Sequence, residues 1–183
     1  MAETQIRIGG FGGQGVILSG IIIGRGAAIH GGLHATLIQS FGPEARGSAS
    51  SAELIVSDQP INYPYVGDLD MLVVLSQDAF VKFLPRLKKT GLLVTESELV
   101  RMPEDAHPGP HFAVPATRIA EEIGRKIVLN IVTVGFFGAV SQLMPVEALE
   151  KSVKDSVPPG TYDLNLRAFR RGYEAGLEAL KRA

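Results

Sequence analysis

QIRIGGFGGQGVILSGIIIG, residues 5–24, decides the fold. QIRI alternates apolar and polar residues as a half-buried strand does. Five glycines follow in the eight positions 9–16, and a helix-length run rich in Ile, Leu, Val and Ala comes next. Strand, tight turn and helix in that order open an α/β domain. The helix has β-branched residues and glycines at Gly20, Gly24 and Gly26, poor choices for an isolated helix, so burial against a sheet must support it.

Working outward, LHATLIQSF (33–41) reads as a second strand, which a right-handed crossover places parallel to the first. SASSAELIVSD (48–58) reads as a third. The six residues GPEARG between them are too few for a helical crossover, so these two strands should run antiparallel and the sheet should be mixed. DMLVVLS (70–76), the short helix DAFVKFLPRL and the strand at 90–97 form a second βαβ unit. The proline-rich stretch 103–117 is an exposed connection with a short edge strand at 111–114. ATRIAEEIG is an amphipathic helix. Residues 130–143 are apolar nearly all round, and should pack in the interior or at a subunit interface. Pro145 opens a further helix, Pro158-Pro159-Gly160 ends it, and the last helix carries a stripe of Leu166, Phe169, Tyr173, Leu177 and Leu180. The expectation is a single three-layer α/β/α, Rossmann-like domain over residues 1–183, with a mixed, mostly parallel sheet. Residues 130–143 and the stripe should leave apolar surface for partners, which the isolated chain satisfies most simply as a two-fold homodimer.

Composition narrows the function. With 45% hydrophobic and 20% charged residues the chain is an ordinary globular protein. A net charge of -1 and a pI near 6.4 provide no field for nucleic acid or anionic membrane. No segment offers about 20 apolar residues for a span, and no basic leader precedes an apolar run, so the cytoplasm is expected. Cysteine is absent, which removes disulfides, iron–sulfur ligation, thiolate nucleophiles and cysteine zinc sites together.

Gly10, Gly12 and Gly15 match G-x-G-x-x-G, with a strand before and a helix after. Gly10 permits the turn, Gly12 lets backbone approach a ligand, Gly13 extends the loop, and Gln14 is placed to donate to a phosphate or carboxylate at the helix N-terminus. A dinucleotide site also wants an acid ending the second strand to hold the ribose; residues 33–43 contain neither Asp nor Glu. Arg46 follows in the next loop, which should leave the same sheet edge as the glycine turn. Residues 10, 12–15 and 46 are therefore the candidate anion site. His30 and His34 are separated by two glycines and make no metal pair; His107 and His111 read as solvated surface. Ser50, Ser51 and Ser57 lack a nucleophile elbow. No catalytic residue and no metal site is expected.

GFGGQGV (10–16), FGPEARG (41–47), DMLVVLS (70–76), Pro115-Ala116-Thr117, LNIVTVGFFGA (129–139) and NLRAFRRGYEAG (165–176) occur in an order that resembles the gamma subunit of 2-oxoacid:ferredoxin oxidoreductases, the family that includes 2-oxoglutarate, pyruvate and 2-ketoisovalerate oxidoreductases. Ser48 departs from the pattern, where the family often has a second glycine. The resemblance implies a complex that decarboxylates a 2-oxoacid, 2-oxoglutarate favoured, on thiamine diphosphate, reduces ferredoxin through iron–sulfur clusters, and delivers the acyl group to coenzyme A. It implies alpha and beta partner subunits, with delta where present, which carry those cofactors. This chain would be architectural, inactive alone, and would shape substrate or coenzyme A access. Two alternatives stand beside it: the beta subunit of indolepyruvate ferredoxin oxidoreductase, and a free-standing Rossmann-like binder of an anion or nucleotide.

Overall fold

The computed structural model describes residues 3–42 and 48–183. Six strands form one sheet: β1 (Thr4–Phe11), β2 (His34–Phe41), β3 (Ala49–Ser57), β4 (Leu69–Val74), β5 (Leu87–Glu96) and β6 (His111–Val114). Their order is β2-β3-β1-β4-β5-β6. β3 is antiparallel to both β2 and β1, whereas β1, β4, β5 and β6 are mutually parallel. The mixed sheet is as expected. β1 and β2 do run in the same direction, but β3 is inserted between them, pairing from Thr4↔Val56 to Phe11↔Ala49 on one side and from His34↔Ser57 to Phe41↔Ser50 on the other.

Strand alternation sends each side of the sheet to a different core. Ile6 and Ile8 of β1, with Leu54, Val73 and Val94, face α1 (Val16–Arg25), α3 (Ala116–Ile123), α4 (Leu129–Ser141), α5 (Val146–Ser156) and α6 (Tyr162–Leu180). On the opposite side Ile55, Leu72 and Leu93 pack under α2 (Gln77–Phe83) with Phe80 and Phe83. That second layer is thin, because one short helix and its flanking loops supply it. α1 continues as a π-helical turn, Gly26–His30. It lies close to the sheet at Gly20, where a Cβ would stand 2.7 Å from the Cβ of Ala52.

The apolar helix α4 is buried from Asn130 to Val140. It is covered within the chain, contrary to the expectation that it leaves surface for a partner. The reason is close contact with α6: a Cβ at Gly135 would lie 2.0 Å from the Phe169 carbonyl oxygen, and one at Gly172 would lie 2.0 Å from that of Val132. Backbones touch there, and side chains larger than hydrogen are excluded. Of the α6 stripe, Phe169 is wholly buried and Leu177 remains 40% exposed.

Candidate functional site

β1 hands the chain to α1 on one side of the sheet, and its parallel neighbour β4 hands the chain to α2 on the other. The gap outside the carboxyl ends of these two strands is the topological switch point, where open α/β sheets bind ligands. Here the space is used internally. Gln14 accepts the Phe11 N–H at its Oε1, 2.6 Å, and donates from Nε2 to the Leu75 carbonyl, 2.7 Å. The Leu75 N–H in turn donates to the Gly9 carbonyl at 2.8 Å. Gln14 is thus a staple between β1 and the end of β4, and the carboxamide expected to meet a ligand is committed to backbone. A dinucleotide pyrophosphate would have to displace it.

The glycines take their meaning from this. A Cβ at Gly10 would fall 2.6 Å from Gln14 Oε1 and 2.9 Å from Val16, so Gly10 makes room for the staple. At Gly9 a Cβ would meet Phe83 at 2.8 Å, and its absence lets α2 lie against the sheet. Gly12 donates its N–H to the Ser48 carbonyl at 2.8 Å, which ties the glycine turn to the start of β3. Gly13, φ 98°, has nothing within 4 Å of a would-be Cβ and forms the open lip. Gly15, φ 73°, is the N-cap of α1; a Cβ there would lie 2.6 Å from Cγ and Nδ2 of Asn130.

The site therefore has a member that sequence reading missed. Asn130 sits at the start of α4 and is 3% exposed. It lies against the head of α1, which has no side-chain cap and no acidic residue in its first turn. Uncapped helix amides and the positive end of the helix dipole attract an anion, and Asn130 adds a donor beside them. The only hint in the sequence was a lone amide in LNIVTVGFF, since nothing local links positions 15 and 130. Arg46 lies outside the described residues. Its flank Ser48 reaches the glycine turn through the Gly12 bond. No nucleophile, acid or base is among the described residues of this turn, and no trio of His, Asp and Glu side chains gathers as a metal site among the described residues.

Two further polar features are structural. Glu96, fully buried at the end of β5, accepts N–H bonds from Glu98, Leu99 and Thr117 at 2.7, 2.8 and 2.9 Å, fixing the strand end to the first turn of α3. Arg7 pairs with Glu53 and lies 4.5 Å from the Phe83 ring centre; burial holds its pKa below the ordinary arginine value, against the pull of Glu53. The histidines of the proline-rich connection are not solvated as expected: His107 is buried on the Gly91 carbonyl at 2.7 Å, and His111 is half-buried on Thr95 at 2.9 Å. The chain bends at residues 108–109 and lies against β5, where the Leu93 N–H donates to the Pro110 carbonyl at 2.9 Å.

A family model described as pyruvate ferredoxin/flavodoxin oxidoreductase matches residues 5–175. The 2-oxoglutarate synthase subunit KorC of Methanothermobacter thermautotrophicus is 45% identical over 182 residues, covering 96% of each chain. The gamma subunit of a keto/oxoacid ferredoxin oxidoreductase from Geobacter sulfurreducens, a solved structure, superposes with a TM-score of 0.84 at 39% identity, over 96% of this chain and 99% of that one. The ketoisovalerate oxidoreductase subunit VorA of M. thermautotrophicus is 29% identical over 98% of this chain, yet the match spans only 38% of VorA.

Proposed function

Since the chain belongs to the pyruvate ferredoxin/flavodoxin oxidoreductase family, we propose that it is the gamma-type subunit of a 2-oxoacid:ferredoxin oxidoreductase, one domain over residues 1–183, with 2-oxoglutarate as the favoured substrate. The assembled enzyme oxidatively decarboxylates the oxoacid to its acyl-coenzyme A and reduces ferredoxin. The observation that carries this chain's share is the chemistry of its turn: helix amides and one carboxamide, with nothing among the described residues to move a proton or attack a carbonyl. Such a site positions an anion and performs no covalent step.

Iron–sulfur clusters need thiolates, and this sequence has no cysteine. As the family resemblance implies, the clusters and thiamine diphosphate are assigned to the alpha, beta and, where present, delta subunits, and the electrons reach ferredoxin through them. VorA supports association: its matching segment continues into further chain, and a domain fused in one relative commonly docks as a separate chain in another. Gly12, Gly13, Gly15, Asn130 and Arg46 would then line the access of the oxoacid or coenzyme A, both anionic, with Gln14 holding the turn in shape. No helix among the described residues is long and apolar enough to cross a membrane, and the assembly is assigned to the cytoplasm.

The test is to recover the chain from its native cell, identify what co-purifies, and assay 2-oxoglutarate- and coenzyme A-dependent ferredoxin reduction. Alpha- and beta-type partners should accompany it, with activity in the complex and none in the isolated chain. Turnover by the isolated chain, or recovery without such partners, overturns the assignment.

A further inference from the structure

The sheet order ends on β2, and among the described residues no strand pairs with its outer edge. Native sheets blunt such edges with Lys, Pro, a bulge or short length, because an open edge invites another strand. β2 has none of these. HATLIQSF runs eight residues with no Asp, Glu, Lys, Arg or Pro, and its register against β3 passes from His34↔Ser57 to Phe41↔Ser50 without a shift. Beside the edge, on the α1 side, lies a mainly apolar hollow of about 230 Å³, lined by Ile21, Gly24, Ala28, Ile29, Ala35 and Leu37 together with Arg25 and Thr36. Ile29 is 61% exposed. The polar groups at its rim are partly engaged elsewhere: Arg25 donates from one terminal nitrogen to the Asp155 carbonyl at 3.3 Å, and the His30 ring bonds the Asp155 carboxylate at 2.9 Å.

We infer that this face takes a second copy of the chain, through antiparallel pairing of the two β2 edges about a two-fold axis. The inference uses β2 and α1 alone and does not depend on the oxidoreductase reading. Antiparallel pairing of identical edges puts the axis perpendicular to the sheet, which keeps α1 of both copies on the same side. With α1 lying chiefly over β3, the two helix axes then stand about three strand spacings apart, roughly 14 Å. Facing Ile21, Ala28 and Ile29 side chains fill that gap. One operation therefore pairs the open edge and covers the apolar hollow.

Charge selects the second copy over an unlike strand. At a two-fold contact each residue near the axis meets its own counterpart or a close neighbour, so a charged strand repels itself. An edge devoted to a different chain has no reason to avoid charge, and would gain specificity from it. β2 carries no Asp, Glu, Lys or Arg along its whole length.

Sedimentation equilibrium of the full chain across the micromolar range tests this, with hydrogen exchange of the β2 amides followed over the same concentrations. The expected mass is twice 19.5 kDa, with β2 amides slowing as the dimer forms. Ile29→Glu and Gln39→Lys change exposed positions on the helix flank and the edge strand, so the fold persists, and each should raise the dissociation constant by about tenfold or more. A mass of 19.5 kDa at every concentration overturns the inference. So does a dimer whose β2 exchange is independent of concentration, whatever the variants do. A monomeric result leaves the subunit assignment standing, since that rests on co-purification with unlike chains.

Discussion

The side chain of Gln14 reaches the Leu75 carbonyl at 2.7 Å and so closes the mouth between the two central parallel strands. A glycine motif that in a dinucleotide domain opens this mouth is here built around its closure. Gln14→Leu should leave the Phe11 N–H and the Leu75 carbonyl without their partner, costing about 1–3 kcal/mol of folding stability. Denaturant unfolding measures it. An unchanged midpoint would mean that water replaces the staple without loss.

Glycines that look alike in sequence should behave oppositely. Gly135→Ala forces a methyl against the Phe169 carbonyl oxygen across the α4–α6 contact, and the helices must separate; a loss of at least about 3 kcal/mol is expected. Gly24, inside α1, has only an ordinary contact with Leu54 at 3.4 Å in prospect. Gly24→Ala should stabilise by about 0.5–1 kcal/mol through the helix it stiffens. Thermal unfolding of the two variants side by side decides between them.

Much of this architecture was legible. The alternating and continuous apolar runs located the strands, the edge strand His111–Val114 among them, and the short gap after β2 announced an antiparallel neighbour. What periodicity cannot carry is which elements become neighbours. Insertion of β3 between β1 and β2 leaves no mark on any one strand. Likewise, Gly135 and Gly172 read as helix-weakening residues until α4 and α6 are laid together. The candidate site divides in the same way. Residues 10–15 announced a turn at a helix head, while the commitment of Gln14 to Leu75 and the arrival of Asn130 depend on contacts between distant segments.

His111 gives the fold a pH dependence. Burial, and secondarily the charge of His107, holds its imidazole below the ordinary value. The unfolded chain therefore takes up the proton first: the stability is fully present above the unfolded pKa of about 6.5 and is lost as pH falls toward and through the lower folded pKa. The unfolding midpoint should be flat above neutrality and decline on acidification, and His111→Gln, which can keep the Thr95 bond, should reduce the decline. An equally steep fall in the variant would assign it to other groups.

Asn130→Asp separates the anion site from the fold. The new carboxylate would face the uncapped head of α1, where the helix dipole favours a negative charge, so stability should change by no more than about 1 kcal/mol. A second anion approaching the same amides would be repelled. Sulfate, used as a probe, should raise the unfolding midpoint of the parent chain with the logarithm of its concentration above the dissociation constant and leave Asn130→Asp further behind at each step. Sodium chloride at matched ionic strength controls for screening, and Asn130→Gln, which retains a donor on a longer stem, should recover part of the sulfate response. If sulfate raises both midpoints equally and in linear proportion to its concentration, exclusion of the salt from the whole surface accounts for the effect, and the head of α1 beside Asn130 holds no anion.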